Sequence, residues 1–343
     1  MALNIIIDPI MNIPMIIASP NQLKASSTPL LDVLKKDLDG IIQQLNEYGA
    51  VLFRGFACVD AEYFSNVIEL CGLGSRCSTK DYDIPRTLLP NEIYTSSDLP
   101  AAIPLPLHHE KPRSKYPPKH IYFCCVTPAQ KGGGTIFANA EAIWLDIPKP
   151  IRDKMSEYGV MYKQFFHGKS IKHRLLKKVL RDQCPLSWLE YFGTNDKRQL
   201  EKKLTNACVN WGWANKGNDL IIINKLPGAL NHPVTNQTSW FNSAHYLNYY
   251  SNSTYGELTS LRSFQYVAGR YLMLTDRLAM VCHYGNGDAF SSADIANINR
   301  VIQQHVRVLN WQKGDCMIVD NFTFMHGKEA HEGSRLLYSC MTG

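Results

Sequence analysis

The ten cysteines of this chain form no C-x-x-C pair, which removes the zinc ribbon and the thioredoxin-like redox site from consideration. No run of about 18 uninterrupted apolar residues occurs, so no transmembrane helix is expected. Internal repeats and low-complexity tracts are absent as well, which excludes solenoids and propellers. The first basic residue is Lys24. The apolar N-terminus, MALNIIIDPIMNIPMIIASPNQ, is broken by Asp8, Pro9 and Pro14. A secretory leader needs a basic start and an unbroken apolar stretch, so none is expected. With this length no disulfide framework is needed, and reduced thiols in a cytoplasmic protein are the expectation.

The composition is that of an ordinary globular protein: 343 residues, 45% hydrophobic and 19% charged, with formal net charge +6. That charge is local. Residues 163–203 hold 11 Lys/Arg against 4 Asp/Glu, and the rest of the chain is close to neutral. A nucleic-acid binder spreads its charge over a face and interleaves stacking aromatics, so no nucleic-acid partner is expected, and no membrane partner either. The basic segment reads as a solvated helical face, or as a dock for an anionic substrate or an acidic carrier protein.

Patterning gives the elements. Leu30, Leu31, Leu34, Leu38, Ile41, Ile42 and Leu45 recur at helical spacing before Gly49, and predict a helix over 30–48. Strands are expected at 50–56, 120–127, 135–140, 159–166, 219–224, around 239–242, at 278–285, 315–320 and 335–341. Asp60 should cap a helix over about 61–71, and Ser291 or Ser292 one from about 293 to 307. Two helices are expected in the basic segment, near 171–182 and 196–207. Pro148 and Pro150 break residues 143–158, leaving only the second half helical. Residues 73–107 read as mostly loop. Short strands separated by turns, with helices early and in insertions, predict a β-sandwich or jelly roll decorated by helices, a mainly β (α+β) fold.

His108, His109 and Glu110 lie in PLPLHHEKPR. An H-x-E places its outer two side chains on one face of an extended strand, with His109 on the other. One more histidine would complete a two-His, one-carboxylate face that leaves metal positions open. About one H-x-[DE] is expected by chance in such a chain, so the C-terminal end has to add weight. There His326 lies just beyond the apolar DCMIVD, and Arg335 opens the last strand. His326 alone would read as a satisfied core histidine, and Arg335 as a surface ion pair. Together they could serve a metal and a carboxylate, because a guanidinium binds a carboxylate through a planar fork.

The ordered segments GAVLFRGF (49–56), YTSSDLPAAIPLPLHHE (94–110), TPAQKGGGT (127–135), WFNSAH (240–245), YGNGDAF (284–290) and LNWQKGDCMIVDN (309–321), followed by the element from His326 to Arg335, resemble the taurine-dioxygenase / clavaminate-synthase-like family of Fe(II)- and 2-oxoglutarate-dependent oxygenases. The resemblance covers roughly residues 40–343. It implies a double-stranded β-helix (cupin-like jelly roll) in a single domain, 1–343. A helix–strand–helix support would span 30–72, and a basic, partly helical insertion about 165–218. It implies Fe(II) ligation by His108, Glu110 and His326. It further implies 2-oxoglutarate binding by Thr135 and Arg335, with dioxygen as the other co-substrate. Lys328 departs from the H-G-R triplet frequent in relatives, which leaves Arg335 as the arginine of the final element. The activity implied is hydroxylation, desaturation or cyclisation of a small amino-acid-like or peptide-like metabolite, free or carrier-tethered, in natural-product biosynthesis. Candidate substrate residues are Tyr94, Ser96, Ser97, Arg113 and Asn242, with Arg86 as a further cation. Two other readings use the same residues: a zinc hydrolase, and a jelly-roll binding protein without catalysis.

Overall fold

The computed structural model describes residues 4–19, 21, 29–58, 60–77, 85–181, 184–206, 210–250 and 263–343. Cys208, and parts of the N-terminal lead and of the basic segment, lie outside the described residues. By contacts the chain divides into two units.

The first unit comprises residues 1–146, 230–241 and 301–343. Its larger sheet has seven strands, in the order Ile5–Ile7, Pro14–Ile17, Ala50–Arg54, Cys316–Asp320, His120–Thr127, Leu336–Thr342 and Tyr94–Thr95. All neighbours are antiparallel except Pro14–Ile17 with Ala50–Arg54, which is parallel. The smaller sheet runs Arg307–Leu309, Thr135–Asn139, Phe324–Lys328 and Leu105–His108.

Side-chain alternation explains how these sheets pack. Leu52, Ile121, Phe123, Met317 and Val319 of the large sheet share one buried cluster with Phe137, Phe324 and Leu309 of the small one. That is the interior of a two-sheet sandwich. The intervening residues Val51, Phe53, Tyr122, Cys124, Cys316 and Ile318 point the other way. They pack against the helices Pro29–Tyr48 and Ala61–Cys71, through Leu30, Leu34, Ile41, Phe64 and Val67. The large sheet is thus covered on both faces, which is why its central strands read as unbroken apolar runs. Asp60 caps the second helix by accepting from Tyr63 N, and Gly72 closes it in the left-handed conformation. The fold is the mixed α+β jelly roll that the sequence implies.

The second unit comprises residues 147–229 and 242–300. It is built on an antiparallel sheet in the order Asn210–Ala214, Asp219–Leu226, Val160–Phe166 and Met280–Tyr284. The basic segment supplies Ile171–Leu180, Trp188–Phe192 and Lys197–Asn206. Phe166, Trp188, Leu200, Leu204 and Leu220 close a small core beneath them.

Three expectations need correction. Residues Ala140–Asp146 are helical as well as Lys149–Tyr158; Pro148 separates two helices rather than abolishing the first. Trp188–Phe192 and Asn210–Ala214 were missed, since each has only five residues and lacks a full period. His326 lies beyond Cys316–Asp320, as expected, but inside a further strand, Phe324–Lys328, that was not expected.

Leu52 is fully buried and lies opposite both Met15 and Met317 in the ladder. Leu52→Ala should lower stability by about 2–5 kcal/mol, read as a shifted midpoint in urea unfolding with an unchanged slope.

Candidate metal centre

Strand register builds the site. In the small sheet His326 is the direct ladder partner of His108. Opposed residues of an antiparallel pair project to the same face. The imidazoles stand with centroids 4.4 Å apart. Glu110 comes two residues after His108, beyond the end of its strand. Its Oε1 is 3.3 Å from His326 Nε2 and 4.0 Å from His108 Nε2. One ligand atom from each of the three falls within 4.8 Å of the others, and all three residues are buried.

The hydrogen bonds suit a cation. His108 Nδ1 lies 2.9 Å from the Pro106 carbonyl. It donates there, which leaves Nε2 as the free lone pair. That Nε2 is buried with no hydrogen-bond partner, as is Nδ1 of His326. Buried polar atoms rarely go unsatisfied, and a divalent metal among the three side chains would satisfy His108 Nε2, with His326 turned to Glu110 through its own Nε2. Burial, aided by the neighbouring His326, pushes His108 down to about 3, so it is neutral at physiological pH. Burial alone would raise Glu110, but Arg86 and His326 outweigh it and hold the carboxyl well below the usual range. Arg86 Nη2 donates to Glu110 Oε1 at 2.6 Å, with both side chains almost fully buried.

Glu110 has no strand partner, and a side chain takes that place. Asn321 Oδ1 accepts from Glu110 N at 2.9 Å. Its Nδ2 donates to Glu110 O at 3.1 Å and to Pro118 O at 2.8 Å. The neighbouring His109 bridges two carbonyls, Asn321 O and Trp240 O, each at 2.6 Å, and stacks on Phe241. It points away from the ligands, as alternation requires.

A second polar cluster lies in the same unit. Trp311 Nε1 donates to Thr135 Oγ1 at 2.7 Å, and Arg335 Nη2 approaches the same oxygen at 3.4 Å. Arg335 Nε donates to Gly133 O at 2.7 Å. A Cβ on Gly133 would stand 3.1 Å from Arg335 Cδ and 2.8 Å from Ala129 Cβ, and φ there is +70°. Only glycine lets the turn come this close to the guanidinium. Burial pushes Arg335 down to about 10. Among the described residues it has no carboxylate partner, so the cluster suits an anion.

The family model of the taurine catabolism dioxygenase TauD/TfdA family matches residues 18–341. The chain belongs to this family. As a TauD/TfdA dioxygenase it uses iron(II) and 2-oxoglutarate, as its sequence resemblance implied. It is 26% identical over 292 residues to the dapdiamide synthesis protein DdaC of Enterobacter agglomerans, covering 85% of this chain and 81% of that one. It is 22% identical over 331 residues to a clavaminate synthase-like protein of Arabidopsis thaliana, covering 94% and 91%. In fold, this TauD/TfdA chain resembles a candidate alpha-ketoglutarate-dependent taurine dioxygenase of Burkholderia xenovorans (TM-score 0.51, 13% identity, 99% and 92% covered). It also resembles the PvcB protein of Pseudomonas aeruginosa (TM-score 0.50, 12% identity, 96% and 84% covered).

The sequence-proposed substrate residues divide. Tyr94 is buried in the strand that pairs with Tyr338 and Ser339. Ser96 N bonds Leu337 O, and Ser97 Oγ accepts from Leu99 N. Arg113 is half-buried. Asn242 belongs to the second unit, and both ends of its carboxamide are spent on backbone, Gly228 O and Ala244 N. It holds a turn. Arg86 was taken as a substrate clamp but contacts Glu110 instead. Asn321, Trp311 and Lys328 were missed as site residues. The Asp320-Asn321 pair ahead of His326 was the available signal for Asn321.

Asn321→Ala removes all three carboxamide bonds. It should weaken Mn(II) affinity about 10- to 100-fold in a protein that keeps its far-UV circular dichroism, measured by titration followed by electron paramagnetic resonance.

Proposed function

We propose that this dioxygenase hydroxylates, desaturates or cyclises a small amino-acid-like or peptide-like metabolite in natural-product biosynthesis. His108, Glu110 and His326 hold Fe(II) in this reading, and Thr135 with Arg335 holds the distal carboxylate of 2-oxoglutarate. The observation that carries it is the pairing, in one unit, of a buried His–Glu–His set with a half-buried arginine that has no carboxylate partner among the described residues. The relative named for dapdiamide synthesis supports the substrate class. The family model runs across both contact units, in keeping with one oxygenase domain over 1–343. A cytoplasmic location belongs to the same proposal; among the described residues no helix is long and apolar enough to cross a membrane.

Bound iron and 2-oxoglutarate supply dioxygen activation: the 2-oxo acid leaves as succinate and CO2, and in hydroxylation one oxygen atom enters the substrate C–H bond. The chain's own residues do the positioning. The Pro106 carbonyl fixes the His108 ring, and Arg86 keeps Glu110 charged. A carboxylate at this position argues against halogenation, which needs it replaced by halide. Tyr94, Ser96, Ser97, Arg113 and Asn242 remain proposed substrate contacts. A zinc hydrolase would use the same ligands, but it gives Thr135, Trp311 and Arg335 no task.

Anaerobic Fe(II) and 2-oxoglutarate should give a visible metal-to-ligand charge-transfer band that His326→Ala and Glu110→Ala abolish. Succinate should then form only when oxygen is admitted. A metal-loaded wild type with no band, or one active with zinc in the absence of oxygen, would sink the assignment of these residues.

The basic segment is proposed as the dock for a carrier-tethered amino acid. Lys172, Lys177 and Lys178 reversed to Glu should raise the apparent KM for tethered substrate and leave Mn(II) affinity unchanged. Unaltered turnover would make the positive face a matter of solubility.

A further inference from the structure

Lys328 is the one residue of the H-G-K triplet that the proposed function leaves idle, and its surroundings are unusual for a lysine. It is only 4% exposed, although lysine is almost never buried without a partner. Among the described residues it has no carboxylate and no hydrogen-bond acceptor. The strand Phe324–Lys328 is buried throughout. Lys328 lies two residues after His326, hence on the same face, and opposite Thr135 in the ladder with Thr135–Asn139. His326 is likewise opposite Phe137, a member of the sandwich interior. Lys328 therefore faces inward beside Thr135, close enough to Arg335 for the two cations to repel each other.

A buried lysine beside a half-buried arginine, neither with a carboxylate among the described residues, is costly in the free protein. The arrangement makes sense if an anion completes it. We propose that Lys328 is a second cationic anchor for the distal carboxylate of 2-oxoglutarate, acting with Arg335, Thr135 and Trp311. This rests on the co-substrate reading above and adds a residue to it. A guanidinium supplies a planar fork and an ammonium a compact point charge, so the pair would select a fully charged terminal carboxylate over a neutral terminus.

The test separates binding from folding. Mn(II)-loaded wild type, Lys328→Met, Lys328→Arg and Arg335→Leu are titrated with 2-oxoglutarate by calorimetry, and each is melted without co-substrate. Methionine matches the aliphatic stem and removes the charge. Lys328→Met should bind 2-oxoglutarate about 10- to 100-fold more weakly, the loss of one charge-assisted contact, and melt no lower than wild type. Mn(II) affinity should be unchanged, and Lys328→Arg should recover most of the binding. If Arg335→Leu weakens binding while Lys328→Met binds as wild type, the second anchor is overturned and the co-substrate reading stands. If wild type does not bind 2-oxoglutarate, that reading fails and takes this one with it. A Lys328→Met protein that melts lower, with Lys328→Arg no better a binder, marks a structural lysine and overturns the proposal.

Discussion

The carboxamide of Asn321 pairs with both the N–H and the carbonyl of Glu110, and the site depends on that pairing. Glu110 follows the last residue of its strand, so no ladder partner fixes its main chain. Asn321 supplies the missing rung from the turn between Cys316–Asp320 and Phe324–Lys328. The second of those strands carries His326. One turn therefore sets the carboxylate and the histidine together, and strand register adds His108. His109 ties the same turn to Trp240. A buried polar network of this kind is worth having only if every member is satisfied. Here the atoms without hydrogen-bond partners include the ring nitrogen His108 Nε2, which faces Glu110 Oε1, where a metal would join the three side chains.

The sandwich serves the site in two ways. Covering the large sheet on both faces makes it stiff, and the small sheet packs its inner face against it. The polar residues that enter the interior include the site's own: His108, Glu110, Thr135, His326 and Lys328 are all buried. Phe123 sits edge-on to His326 at 5.4 Å, so an apolar wall bounds the imidazole. Low polarity around the centre strengthens each remaining electrostatic contact, including that between Arg86 and Glu110.

Much of this was legible in the residues. Leucine spacing over 30–48 marked a helix, though not the break at Asp37, where φ is −147°. Apolar runs at 120–127 and 315–320 marked central strands because both of their faces are covered. The H-x-E and the distant His326 were visible as types, yet only resemblance joined them, since residues more than 200 positions apart carry no local signal of contact. Asn321 and Lys328 escaped for a different reason. Asn after Asp reads as a turn, and Lys in a glycine-flanked segment reads as surface; only the register shows one to be a substitute rung and the other to be interior.

The strand order also bears on how the protein is made. Ala50–Arg54 lies between Pro14–Ile17 and Cys316–Asp320, and Arg54 bonds Asp315 across 261 positions of chain. The middle strand of the large sheet, Cys316–Asp320, therefore leaves the ribosome long after the strand Ala50–Arg54 that it pairs with. Until then the helices Pro29–Tyr48 and Ala61–Cys71 and the first strands hold their apolar faces with no centre to close on. Such long-range closure is slow and leaves the nascent chain prone to aggregate. Truncation before Cys316 would remove the keystone of the sheet along with His326, so partial products of synthesis that end there have no route to a folded, metal-binding form.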